Sequence, residues 1–250
     1  MTTRTILCLG LLCGSLLLPL AACHHAAAPE PDPTQLSQEG ERAFERKKWA
    51  QAVDAFQKLK DRYPFSPYAL TAEMKIADAL YMQEKYEEAI AAYQEFERMH
   101  PRNEQVPYAI YMQGEANNKR MLSQDRDQAP TAEALRNFQR LVTDYPDSPL
   151  VAQAKTRIVE AQDRLAAQEL YVARWYERTG HPRSALARLN YLLKNYAQTP
   201  SAQAARRLLP EVQAAVAKET AKGEHPSEIG PAPAPIDSGG VYQERRPPVP

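Results

Sequence analysis

Four alanines set the frame of this chain. Take Ala52, Ala89, Ala134 and Ala185 as origins. Three residues before them stand Trp49, Tyr86, Thr131 and Pro182. Four after stand Phe56, Tyr93, Phe138 and Leu189, and seven after stand Leu59, Phe96, Leu141 and Leu192. A small residue with large apolar ones at those offsets is one face of an α-helix, and the small residue lets a neighbouring helix come close. Eleven after stand Tyr63, His100, Tyr145 and Tyr196, and twelve after stand Pro64, Pro101, Pro146 and Ala197. Proline has no N–H and disfavours helix in the residue before it, so each helix is expected to stop there.

A partner helix is expected before each of these. Gly40, Ala77 and Ala173 lie twelve residues ahead of their alanines, a small residue suited to the close-packing point of a helical hairpin. Gly114 lies twenty ahead of Ala134, and the excess falls in the polar stretch KRMLSQDRDQAPT, which reads as a loop inserted at 119–131. Fourteen further residues between Pro149 and Ala173 are helical in character. They predict one long helix from about Leu150 to Thr179, bent near Ala166 and capped by Gly180. The repeating offsets resemble the tetratricopeptide (TPR) repeat. That resemblance implies an all-α fold, a right-handed superhelical solenoid of about four TPR-like helix pairs plus a C-terminal capping helix. The pairs are expected at about 35–64, 67–101, 105–146 and 150–197, with the cap at 199–222. Pro210 is expected to kink or restart the cap. Only 9 glycines in 250 residues, among many helix formers, fit this fold class.

The ends read differently. Residues 1–22 carry Arg4, an apolar run from Ile6 to Leu20 broken by Gly10, Gly14, Ser15 and Pro19, then small residues. This is the pattern of an export signal, and the run is too short for a membrane span. LAAC at Leu20–Cys23 resembles the bacterial lipobox, which implies a covalent lipid on Cys23. Residues 23–34 read as a Pro/Ala tether. Cys8 and Cys13 leave with the signal, so the mature chain is expected to hold no disulfide. Cys23-His24-His25 has no supporting shell of ligand-orienting groups and does not read as a metal site. From 223 to 250 the chain is rich in Pro and Gly and is expected to be disordered.

No catalytic constellation stands out. The histidines are scattered; His100 and His181 adjoin prolines at expected helix edges and read as capping residues. No Gly-rich phosphate loop, HExxH or GxSxG occurs. With 31 basic and 31 acidic residues, the charge balance lacks the surplus a nucleic-acid binder needs. Neither an enzyme, a cofactor, a metal nor a nucleic-acid partner is expected. A TPR-like stack instead offers a groove lined by the first helix of each pair, suited to extended or helical peptide segments. Tyr68, Tyr81, Tyr108 and Tyr111 are candidates to face it; each fits packing between repeats, with only its hydroxyl outside, equally well.

Lipoprotein signal, short tether and helix pairs together resemble the BamD family of outer-membrane β-barrel assembly lipoproteins. RYPFSPYA (Arg62–Ala69) is similar to that family's first repeat junction and YAIYMQGEA (Tyr108–Ala116) to its third A helix. DRDQAP (Asp125–Pro130) resembles its inserted loop, and RLAAQELYVARWYERTG (Arg164–Gly180) its long penultimate helix. The resemblance spans about Gln35 to Leu209. It implies a lipid-anchored adaptor on the periplasmic face of the outer membrane. Its partners would be the POTRA domains of a BamA-like insertase, C-terminal segments of unfolded barrel proteins, and further assembly lipoproteins. By the same resemblance Arg188 would take part in insertase contact; directly before Leu189, it reads as outward-facing and solvated. Phe65 and Tyr68 are candidate edges of the substrate groove, with inter-repeat packing as the alternative. The 119–131 insert and the Pro-rich tail depart from the family pattern. The rival within this architecture is a TPR scaffold of the Tol–Pal system, but those are usually soluble and often carry a coiled coil, which is not seen before Gln35.

Overall fold

The computed structural model describes residues 30–123 and 126–222. The signal segment, Cys23 and the Pro-rich tail lie outside these. Contacts divide the chain into Met1–Pro31 and Asp32–Pro250, and every helix of the described residues belongs to the second unit. They are α1 (Pro33–Glu45), α2 (Trp49–Arg62), α3 (Ala69–Met82), α4 (Tyr86–Met99), α5 (Val106–Lys119), α6 (Ala129–Asp144), α7 (Val151–Arg178), α8 (Pro182–Asn195) and α9 (Pro200–Ala221). Each packs on its neighbours in sequence, and α9 also on α7. The fold is an all-α solenoid of four helix pairs closed by α9, and no strand occurs among the described residues.

The joint after each pair is built the same way four times. Tyr63, His100, Tyr145 and Tyr196 each end a helix, their N–H groups bonding the carbonyls of Leu59, Phe96, Leu141 and Leu192. Three residues on, the N–H groups of Ser66, Asn103, Ser148 and Thr199 return to those end residues at 2.9–3.1 Å. The side-chain oxygens of these four then accept an N–H at the start of the next helix, from Tyr68, Gln105, Leu150 and Ala202. A short polar side chain that satisfies nearby backbone donors makes a compact turn. Pro67 lies inside the first such turn, and α3 begins at Ala69 rather than at Pro67.

The turn inside three of the pairs is equally uniform. Lys47 (φ 56), Glu84 (φ 62) and Gly180 (φ 79) adopt the left-handed conformation. The following N–H groups, of Lys48, Lys85 and His181, bond Ala43, Leu80 and Tyr176 carbonyls at 2.8–3.1 Å. This is the Schellman closure, in which a left-handed residue satisfies the last carbonyls of a helix. Only Gly180 announces it in the sequence.

Three expected boundaries shift. α1 starts at Pro33, inside the expected tether. Asp32 accepts the Gln35 N–H at 2.9 Å, and the Gln35 side chain accepts the Asp32 N–H at 3.1 Å. That reciprocal cap, with proline in the first turn where no N–H is needed, pulls the helix forward. At the insert, α6 already begins at Ala129, so Pro130 and Thr131 are helical rather than loop. Buried Gln128 anchors the loop: its amide donates to the Ser123 and Arg126 carbonyls, and its oxygen accepts from Thr131. α9 runs through Pro210 without a break.

The core forms two main clusters. One fills the first three pairs, from Leu36 to Leu141 and on to Ala154 of α7. The other joins Ala166, Leu170, Ala173 and Tyr176 of α7 to α8 and α9. A smaller cluster of Leu135, Ala161 and Leu165 lies between them along α7. The 28 residues of α7 are therefore the strut shared by both cores. The close-packing points are tight. A Cβ on Gly40 would come 2.5 Å from the Phe56 ring, and one on Gly114 2.5 Å from the Phe138 ring. Both rings are buried, so they have nowhere to retreat.

Candidate functional site

The first helix of each pair carries a charged residue directly after its close-packing point: Glu41, Asp78, Glu115 and Arg174. The three acids reach toward the next first helix. Glu41 of α1 lies 3.7 Å from Lys75 of α3, whose ammonium also sits 4.4 Å above the Phe44 ring. Glu115 of α5 takes two bonds from Arg157 of α7, at 2.6 and 3.2 Å. Asp78 of α3 accepts the Tyr108 hydroxyl of α5 at 2.9 Å and the Tyr93 hydroxyl of α4 at 2.6 Å. Burial holds the Asp78 carboxyl above its ordinary range, and the two tyrosine bonds only partly offset that. The same burial, with the Asp78 charge beside them, pushes both phenols well up.

Beside Asp78 the surface opens into a recess of about 460 Å³ between α3 and the start of α5. Thr71, Met74, Lys75 and Asp78 line it from α3, and Glu104, Gln105 and Tyr108 from the other side. Residues 71, 74, 75 and 78 share one helical face, so the recess follows directly from the period of α3. The wall is mixed, apolar on Met74 and aromatic on Tyr108, with charges between.

The predicted residues fall out as follows. Phe65, in the turn before α3, is 99% exposed; its ring packs on nothing, which answers the packing alternative. Tyr68 stands one turn ahead of Thr71 and is 36% exposed, on the approach to the recess. Tyr108 lines the recess but spends its hydroxyl on Asp78. Tyr111 is half-buried and packs on the Phe138 ring at 5.6 Å; burial, then Glu115, raises its phenol. Tyr81 is likewise half-buried and stacks edge-on against Tyr86. His100 is the helix-end residue expected, and its ring also meets Glu73 at 2.7 Å.

Arg188 requires a correction. It is not solvated: it is 7% exposed in α8, and its guanidinium donates to both oxygens of buried Glu169 of α7, at 3.1 and 3.0 Å. Ala185, Arg188, Leu189 and Leu192 fall on one helical face, so the 3.6-residue period turns Arg188 inward with its apolar neighbours. Desolvation raises the Glu169 carboxyl, and Arg188 works against that rise. Asp78 was missed altogether. Its signal is legible in retrospect: an acid among Ile76, Ala77, Ala79 and Leu80, at the same offset from Ala77 as Glu41 from Gly40 and Glu115 from Gly114.

Residues 29–227 match the YfiO family model, described as outer membrane lipoprotein. The chain belongs to the BamD family. Relatives named outer membrane protein assembly factor BamD occur in Vibrio cholerae, 29% identical over 214 residues, covering 82% of this chain and 87% of that protein. The Neisseria gonorrhoeae relative of that name is also 29% identical, over 208 residues, covering 76% of this chain and 78% of that one. Among solved structures, the TPR2AB-domain:pHSP90 complex of yeast Sti1 shows 15% identity over 76% of this chain and 77% of that one. Its TM-score is 0.41, a level at which a shared fold is not established. The BamD-family relatives are assembly factors by name. Among the described residues of this chain, no group of His, Cys, Asp and Glu could hold a metal ion, and no helix is long and apolar enough to cross a membrane.

Proposed function

We propose that this protein is a non-enzymatic adaptor of the outer-membrane β-barrel assembly machinery, held on the periplasmic face of the outer membrane by a lipid on Cys23. Its first three pairs receive segments of unfolded barrel proteins. Its last pair and α9 meet the POTRA domains of a BamA-like insertase, and other assembly lipoproteins join the same scaffold. The observation that carries the receiving role is the juxtaposition on α3. Phe65, wholly exposed in the turn before α3, and partly exposed Tyr68 at its start precede on the same helix the residues Thr71, Met74, Lys75 and Asp78 that line the recess. An exposed aromatic that makes no contact within the fold is free to serve as an interface anchor, a role in which aromatic residues are enriched. Family membership supplies the partner class.

In this reading Arg188 is a positioning residue. Its bond to Glu169 fixes α8 against α7 beneath the surface offered to the insertase. The receiving role is tested with a urea-unfolded barrel protein diluted onto the full chain. Phe65→Ser is expected to weaken capture by about tenfold, the scale of an interface aromatic, while leaving the melting temperature unchanged, since the ring packs on nothing. Unchanged capture would remove Phe65 from the groove.

A further inference from the structure

Of the three acids that follow a close-packing point, two are answered by a cation from the next first helix: Glu41 by Lys75 and Glu115 by Arg157. Asp78, at the same register, forms no ion pair: its Oδ1 accepts the neutral hydroxyls of Tyr93 and Tyr108, and Lys75 of its own helix, which also lines the recess, acts on it only at longer range. No ammonium or guanidinium among the described residues lies within ion-pair distance of it. Lys75, one turn earlier on α3, leans instead toward Glu41 and the Phe44 ring. Asp78 also lines the recess, and Glu104 stands exposed on its rim.

We propose that the recess receives a lysine or arginine side chain of an extended protein segment, its cation on Asp78 and Glu104 and its methylene stem along Met74 and the Tyr108 ring. The repeat pattern points to a cation because its two sister positions each already hold one. The stem has a fitting wall, since long basic side chains lay their methylenes on apolar surface while the charge stays at the opening. A partly desolvated carboxylate also gains more from an incoming cation than a solvated one does. The inference rests on the groove as a receptor for unfolded barrel segments, and it gives that receptor a preference. A barrel strand alternates apolar and polar residues, and the polar face is where the basic residue would stand.

The test uses the full chain in detergent and fluorescence anisotropy. The probes are two ten-residue alternating peptides that differ only at the centre, arginine in one and glutamine in the other. The arginine peptide is expected to bind about tenfold tighter, the scale of one charged hydrogen-bonded contact. Asp78→Asn, which can still accept both tyrosine hydroxyls, should cut the preference to the about two- to threefold that Glu104 can supply. Glu104→Gln, on the exposed rim where the fold is not at stake, should narrow the gap by about two- to threefold. Equal binding of both peptides to the unaltered chain overturns the proposal, as does a tenfold preference that Asp78→Asn leaves undiminished. Arginine-peptide binding seen only after Arg245→Gln/Arg246→Gln would make the chain's own C-terminal segment the occupant, and overturns it too. If neither peptide binds at all, the receiving groove itself fails, and this inference with it.

Discussion

Lys47 and Glu84 hold the same left-handed backbone as Gly180, in the same turn, but with a side chain attached. For an L-residue with a Cβ that conformation costs about 1–2 kcal/mol, and for glycine almost nothing. Lys47→Gly and Glu84→Gly are therefore expected to stabilise the protein by about 1 kcal/mol each, raising the melting temperature by about 2–4 °C in a domain of this size. A fall on thermal unfolding would mean that these turns depend on the side chains. Asp78 makes the opposite kind of statement. Its carboxyl is held above its ordinary value of 3.8, first by burial. The folded state then keeps a proton that the unfolded state releases. Stability contributed by this group is full below that ordinary value and is lost as pH rises through the folded one. Asp78→Asn is thus expected to gain on the unaltered protein in melting temperature as pH climbs from about 4 to 7. A difference that does not change with pH would refute this. An acid that weakens the fold at neutral pH, placed on a recess, fits a residue kept for binding rather than packing.

At the scale of helices, the pairing was legible because it depends on period and punctuation. Four alanines with apolar residues at fixed offsets, and a proline twelve residues on in three of the four copies, mark the hairpins. What stayed hidden lay in caps and in single charges on helix faces. The Asp32–Gln35 reciprocal cap and the Pro130 first turn move boundaries by one or two hydrogen bonds, which hydrophobic period does not register. Arg188 was misplaced because its place directly before Leu189 was weighed above the helical period, although Ala185, Leu189 and Leu192 fix its side of α8. The glycines of α1 and α5 gave the sharpest geometric statement. Gly114 leaves room for the Phe138 ring, whereas Ala173, its counterpart in α7, faces the register position of Leu189. Gly114→Ala is expected to cost about 1–2 kcal/mol, overpacking outweighing the gain in helix propensity. Adding Phe138→Leu should return part of that loss in a double-mutant cycle. Two losses that simply add would show that the α5–α6 contact is not the close one described.

For the whole molecule, one strut decides the organisation. α7 belongs to both main cores, so the half proposed to receive barrel segments and the half proposed to meet the insertase are joined through a single continuous helix. The Asp78 recess lies on the first half and the Glu169–Arg188 pair on the second. The proposed adaptor role needs that separation: one surface for an unfolded segment, another for the machine that inserts it. The most direct test of the account is affinity purification of the protein from chemically crosslinked bacterial envelopes, with the Cys23→Ser variant alongside. The account predicts recovery of a POTRA-bearing insertase with the unaltered protein, and release of the variant into the soluble periplasmic fraction. Recovery of Tol–Pal components without an insertase would contradict it.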